Sequence, residues 1–279
     1  MELILGTAQL AGRYGVMATQ GASEARAAAV LDAARRLGVG TVDTAPGYEG
    51  AESAIGAAGA GFAVHTKLPS GEDPAAALAA SLRRLQCEQV EVLHLHDPGV
   101  VLDAKDPQLT AAAALVGVGT AAIGASVYTR EQFLAAVGDD RIAVVQAPLN
   151  VLDRTVTDED LRRAERSGTD VIARSALLQG LLGDPERAIG RVPQLDGTLT
   201  AFAAVCARAG RGPLELAIGW VRARPAVSGI VLGAETPEQL EGLVRAFDAP
   251  PLPDDVVELL GSIPLPLGRA TDPRTWPRN

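Results

Sequence analysis

GVGTVDTAPGYEGAES, residues 38–53, runs from a short apolar stretch into an aspartate and then a tyrosine set in a glycine-flanked turn. Thr41 and Val42 read as the end of a buried strand, so Asp43 falls at its C-terminal end and Tyr48 just beyond. A carboxylate there is costly unless the strand opens onto something that uses it. In a closed parallel barrel every strand's C-terminal end faces one mouth, and that is where such residues acquire a use.

Working outward from this stretch, short apolar runs alternate with Ala-, Leu-, Arg- and Glu-rich helical stretches, the β-then-α rhythm of parallel strands joined by crossover helices. Strands are predicted over residues 3–6, 40–43, 63–66, 90–94, 122–125, 143–146, 170–173 and 229–232. Helices are predicted over 23–37, 51–58, 74–85, 107–116, 130–137, 158–166, 199–209 and 237–246, with additional ones over 213–223 and 254–260. Eight such units in 279 residues predict an α/β fold, a (β/α)8 TIM barrel, over a doubly wound sheet. Residues 1–279 are expected to form a single barrel domain, with 247–279 as a C-terminal helix and tail. Residues 177–197 lack periodicity and follow strand seven, so they are expected on the mouth, with few contacts of their own.

With 47% hydrophobic and 21% charged residues the chain can bury a large core, and a formal charge of −9 without a basic cluster argues against a nucleic-acid partner. The start, MELILGTAQLAGRYG, lacks the features of a signal peptide, and no segment is apolar for long enough to span a bilayer. The expectation is a soluble, cytoplasmic protein without a membrane partner. Cys87 and Cys206 have no paired spacing and read as thiols.

Four polar residues cluster at the ends of three consecutive strands: Asp43, Tyr48, Lys67 in FAVHTK, and His96 in EVLHLHDP. Singly each has a plain structural reading, as a helix cap, a turn cover or a cation reaching for water. Together they suit one task. A phenol with an ordinary pKa of about 10 is too weak an acid at neutral pH, a nearby ammonium lowers that value, and a carboxylate anchors the ammonium. A neutral imidazole then orients and polarises the carbonyl oxygen that takes the proton.

These residues resemble the Asp, Tyr, Lys and His tetrad of the aldo-keto reductases. LGTAQLAGRYG is similar to that family's first strand and loop, IGASVYT to its fifth strand, VVQAPLNVLDR to its sixth, ARSALLQGLL to its pyrophosphate loop and VLGAETPEQL to its eighth. The resemblance implies an NAD(P)(H)-dependent reaction interconverting a carbonyl and an alcohol, with a small-molecule substrate and no metal. It implies that Ser126 and Gln146 hold the nicotinamide amide, that Ser175, Leu177 and Gly180 line the pyrophosphate loop, and that Gly233 and Ala234 approach the adenosine phosphate.

Departures from the pattern bear on the cofactor. Val127 replaces an Asn, Arg174 stands where an aromatic ring commonly stacks on the nicotinamide, and Gly242 and Leu243 replace a Glu-Asn pair that reads adenine. Glu235 replaces the basic residue that often meets the 2′-phosphate of NADP(H), which favours NAD(H); the alternative is that Glu235 points to solvent and an arginine meets the phosphate. The N-terminal hairpin of many such barrels is expected to be absent. An aromatic content of 3% suggests a pocket without stacked apolar walls, suited to a sugar-like or cyclitol-like substrate. Trp276 and the tail either fold over the mouth or are disordered.

Two rival readings remain open. His94 and His96 form an H-x-H pair that, with His65, could serve a metal-dependent hydrolase. The same fold also hosts non-redox chemistry, an isomerase or epimerase, or a protein that has lost turnover.

Overall fold

The computed structural model describes residues 1–12, 14–19, 21 and 23–276. Arg13 of the predicted first loop and residues 277–279 of the predicted tail lie outside the described residues.

Eight parallel strands close in sequence order: β1 (Glu2–Gly6), β2 (Thr41–Asp43), β3 (Ala63–Leu68), β4 (Val90–Leu95), β5 (Thr120–Ser126), β6 (Val144–Pro148), β7 (Asp170–Arg174) and β8 (Gly229–Gly233). This is the predicted (β/α)8 barrel. Helix starts follow local chemistry. Asp73, Asp106 and Thr236 each accept a bond from a backbone N–H of the following turn, with a proline opening the helix. Thr129 with Gln132, and Thr157 with Asp160, form reciprocal capping boxes. Helical spacing selects the buried faces, as in Ala27, Val30, Leu31 and Ala34 of the helix Glu24–Arg36.

Strand pairing stacks the inward-facing side chains in layers contributed by alternate strands. Following the registers, the uppermost layer is Gly6, Lys67, Ser126 and Arg174, and below it lie Asp43, His94, Gln146 and Val231. Ile4, His65, Gly124 and Ile172 come next. Ile4, Val92, Val144 and Ile172 pack as an apolar plug lower in the barrel, separate from the main core between strands and helices.

Several boundaries differ from the sequence reading. β3 runs two residues further than predicted because Lys67 and Leu68 pair with His94 and Leu95, so Lys67 lies inside the strand. β5 begins at Thr120, two residues early, and the helix predicted over 107–116 ends at Ala113. The expectation of few contacts in 177–197 is corrected: Leu178, Leu181, Leu182, Val192 and Leu195 are each fully buried. Leu178 and Leu195 lie in short helical segments, Leu178–Gly180 and Pro193–Leu195, and Pro185–Ala188, between them, buries Pro185 and Ala188. Trp276 is buried too, and its Nε1 donates to Ala270 O at 2.7 Å, which folds the described tail back on itself. Among the described residues no helix is long and apolar enough to cross a membrane.

Candidate active site

The mouth opens into a cavity of ≈ 510 Å³ whose wall includes Asp43, Tyr48, Lys67 and His96. Asp43 and Lys67 are buried and joined, Lys67 Nζ lying 2.7 Å from Asp43 Oδ1. The ammonium also donates to Thr44 O at 2.9 Å, and Gln146 Nε2 donates to Asp43 Oδ2 at 2.8 Å. Burial alone would pull the Lys67 pKa down, but Asp43, with Tyr48 and the hydrogen bond adding to it, leaves it raised. Tyr48 follows β2 in a turn closed by its N–H on Ala45 O, which sets the ring with Lys67 Nζ 5.3 Å from its centroid. His96 stands just past β4, its N–H on Leu68 O. Desolvation first, and Lys67 second, lower its pKa, so the imidazole is neutral at pH 7 and presents one N–H donor and one acceptor.

The residues predicted for a dinucleotide fall mostly on the same cavity. Ser126, Gln146 and Arg174 line it near the tetrad, and Ser175, Leu177 and Gly180 line it through the turn after β7. Gly233 and Glu235 line it at the end of β8, as do Gly242 and Leu243 beyond. Ala234 is the exception: it does not line the cavity, is 1% exposed and packs in the main core, because the alternation that turns Gly233 toward the mouth turns its side chain outward to the helices. Glu235 does not point to solvent. It is buried, and its carboxylate accepts from Thr19 N and, at 2.9 Å, from Thr19 Oγ1. The turn after β7 is strained, with Ser175, Leu178 and Gln179 at φ of 56°, 49° and 54°. Gln179 is held there by Val16 N, which donates to its Oε1 at 3.2 Å.

Sequence reasoning missed Tyr14, Tyr128, Gln9 and Arg187, which also line the cavity. Tyr14 had a signal: RYG after strand one repeats the glycine-flanked tyrosine that GYE presents after strand two. The expectation of a pocket without aromatic walls is corrected, because all three tyrosines of the chain gather on this cavity. Gly233 has a packing reason, since a Cβ there would come within 2.1 Å of Gln9 Oε1. His94 is fully buried inside the barrel with neither ring nitrogen partnered, 5.6 Å from the His65 ring. Among the described residues no three His, Cys, Asp or Glu side chains come together as metal ligands, and both cysteines are free.

A closed parallel barrel with Asp, Tyr, Lys and His gathered at one side of its mouth defines a class of oxidoreductase fold, and residues 2–263 match the model of the Aldo/keto reductase family. The chain belongs to that family. It is 26% identical over 220 residues to the uncharacterized oxidoreductase YrpG of Bacillus subtilis (strain 168), a match covering 71% of this chain and 66%, just under two thirds, of that relative. Among solved structures, the aldo-keto reductase AKR11C1 from Bacillus halodurans in its holo form superposes with a TM-score of 0.79 at 23% identity, covering 94% of this chain and 91% of that one. The glycerol dehydrogenase AKR11B4 from Gluconobacter oxydans gives 0.72 at 24%, covering 94% and 90%. At these identities the structural likenesses speak to the fold.

Proposed function

We propose that the protein interconverts a carbonyl and an alcohol, with Tyr48 as the proton donor and acceptor and a nicotinamide dinucleotide as the partner. The observation that carries this reading is the buried Lys67–Asp43 pair set 5.3 Å from the Tyr48 ring centroid, at the mouth that His96 also faces. A structural ion pair would have no need of a phenol beside it. When bound, the dinucleotide supplies or accepts the hydride.

The residues present fit such a group. The strained turn at Ser175–Gln179 keeps its backbone on the cavity, and Gly233 with the Gln9 amide packed over it lines the facing wall. With Gln146 Nε2 committed to Asp43, its Oε1 is the atom left to accept an amide N–H, and Ser126 supplies a hydroxyl beside it. Arg187 brings a cation to the cavity wall for a pyrophosphate. Glu235 on the same wall favours a free ribose over a 2′-phosphate, hence NAD(H).

In the reduction direction the Tyr48 hydroxyl gives its proton to the substrate oxygen as charge builds there, and the Lys67 ammonium stabilises the charge left on the phenol oxygen. Asp43, held by Gln146, keeps the ammonium in place. A neutral His96 donates its N–H to the same oxygen and fixes its orientation. The three tyrosines add flat surfaces with polar edges, which suit the carbon face and hydroxyls of a sugar-like substrate.

The test is Tyr48→Phe assayed against a panel of aldoses and polyols, with dinucleotide affinity followed by nicotinamide fluorescence. Turnover should fall by roughly 10² or more with affinity nearly unchanged. Wild-type turnover in the variant would remove Tyr48 from the chemistry. Failure of the wild-type protein to bind either dinucleotide would turn the reading toward non-redox chemistry.

A further inference from the structure

The uppermost barrel layer holds two cations facing each other, Lys67 on β3 and Arg174 on β7, and the fold treats them differently. Lys67 is paired with Asp43, whereas among the described residues no carboxylate lies within 4.0 Å of the Arg174 guanidinium. Its bonds go to neutral acceptors: Nη2 donates to Val127 O at 2.9 Å and Nη1 to Ser175 Oγ at 3.3 Å, while its buried Nε has no partner. The guanidinium carbon stacks 4.1 Å from the Tyr128 ring centroid. Arg274 stacks on the same ring at 3.5 Å, but its charge is met by Asp272 at 2.7 Å.

Arg174 also forms part of the wall between the main cavity and a smaller one of ≈ 200 Å³ beneath the folded tail. The carboxylates of that side cavity are engaged elsewhere. Asp153 accepts from Thr271 Oγ1 at 2.9 Å and from Thr155 N at 3.2 Å, and Asp272 pairs with Arg269 and Arg274. The field of Arg174 is felt by both Lys67 and His96, which places it at the reacting end of the cavity.

A half-enclosed guanidinium without a counter-ion has given up hydration with no ionic compensation, and planar carboxylates are the groups its fork fits best. We propose that the substrate carries a carboxylate that pairs with Arg174 while its carbonyl or hydroxyl lies at Tyr48 and His96. The substrate class is then a sugar acid or a short hydroxy or oxo acid in place of a neutral sugar. This rests on the redox reading above and narrows it. The other anion that could reach Arg174 is a phosphate of the dinucleotide, and the experiment separates the two.

Ligand-detected NMR titrations on the full chain, with dinucleotide bound, compare two matched pairs: glyoxylate with glycolaldehyde, and D-glucuronate with D-glucose. In at least one pair the acid should bind roughly 10-fold or more tightly at low ionic strength. Arg174→Gln should abolish that preference, Arg174→Lys should keep part of it, and the neutral partners should shift less than about two-fold in either variant. If Arg174→Gln does not fold, a reduced acid preference in Arg174→Lys carries the result, and an unchanged one overturns the proposal. Equal affinities within both pairs in the wild type, or a preference that survives Arg174→Gln, also overturn it. So does a Gln variant that loses dinucleotide affinity while keeping the acid preference, since Arg174 would then serve the cofactor's phosphate. Absence of any dinucleotide binding would strike the redox reading instead, and the same titrations on the unliganded protein would still decide the role of Arg174.

Discussion

Breaking the Lys67–Asp43 pair from one side should cost far more than deleting it whole. Their side chains are 3% and 6% exposed, so neither charge can turn to water when its partner is removed. In Lys67→Met the Asp43 carboxylate keeps one charge-assisted bond, from Gln146; in Asp43→Asn the ammonium keeps Thr44 O and can find a neutral amide oxygen but loses its anion. Each single variant should therefore lose about 3–5 kcal/mol, the range for stranding one member of a buried pair. The double variant Lys67→Met/Asp43→Asn retains an amide to accept from Gln146 and buries no net charge. It should fall within about 2 kcal/mol of wild type, and so several kcal/mol short of the sum of the singles.

Equilibrium urea unfolding at pH 7, read as the shift in midpoint at constant slope, measures all four corners of the cycle. pH adds a second check. The Lys67 pKa is raised in the folded state, so its contribution in the wild type is present below the ordinary value of 10.5 and lost as pH rises through the folded value. In Asp43→Asn the buried ammonium can instead shed its proton as pH rises, so that variant's deficit should shrink. Single variants within about 1 kcal/mol of wild type, or a double variant at the additive sum, would refute the claim that this is a coupled buried pair kept for its chemistry.

Three further outcomes follow from the geometry. Glu235→Arg should move the ratio of NADPH to NADH dissociation constants toward NADPH, because a carboxylate about 4 Å from a phosphate charge costs roughly 1–4 kcal/mol; calorimetry showing no shift would detach Glu235 from the ribose. His94 is buried and its pKa lies well below 6.5, driven first by desolvation and then by His65, so folding stability should be complete above about pH 6.5 and fall as pH drops. The slope is about 1.4 kcal/mol per pH unit for that one proton, and urea unfolding of His94→Gln should lack this component between about pH 6.5 and 5. Gly124→Ala would place a Cβ 2.3 Å from His94 Nδ1 and should lower stability by about 1–3 kcal/mol, with thermal unfolding of the His94→Ala/Gly124→Ala double variant showing relief.

Most of the local pattern was legible, apart from the Tyr14 turn and the end of the helix at Ala113, and the larger differences trace to partners distant in sequence. The predicted helix starts at 74, 107 and 237 hold, and the capping Asp73, Asp106 and Thr236 that fix them lie within one turn of the residues they control. Lys67 is different. Whether it ends β3 or lies inside it depends on pairing with His94, 27 positions along, and no local pattern in FAVHTK carries that. The segment 177–197 looked loose because its leucines obey no single period, yet Leu178, Leu181, Leu182 and Leu195 are fully buried, two of them in short helical segments. Ala234 differs from Gly233 by one step of strand parity, which is enough to turn its side chain into the main core. Composition misled on the pocket, since 3% aromatic residues says nothing about where three tyrosines are spent.

The barrel interior is polar on one side and nearly bare on the other, and that asymmetry accounts for the shape of the site. On β2 to β4 the inward positions above Val92 include Asp43, His65, Lys67 and His94, a column of ionisable groups reaching well below the mouth. On β8 and β1 the matching positions are Gly229, Val231, Gly233, Ile4 and Gly6, with no titratable side chain between the plug and the cavity. Two glycines pair side by side at the top, Gly6 and Gly233, and the Gln9 amide packs over Gly233 where a side chain of its own would stand. In the proposed function the proton chemistry lies on the polar half, where a low local dielectric would strengthen the action of Lys67 on Tyr48, and a flat, weakly polar group would lie against the other. The cost of burying the polar column falls on the surrounding shell: Phe133, Phe202 and Trp220, all essentially inaccessible, sit in the helical layer with a main core that runs around the whole barrel. Arg174, on β7 opposite Lys67, is the one cation of the top layer without a carboxylate beside it among the described residues, and in the proposal above the substrate supplies that negative charge.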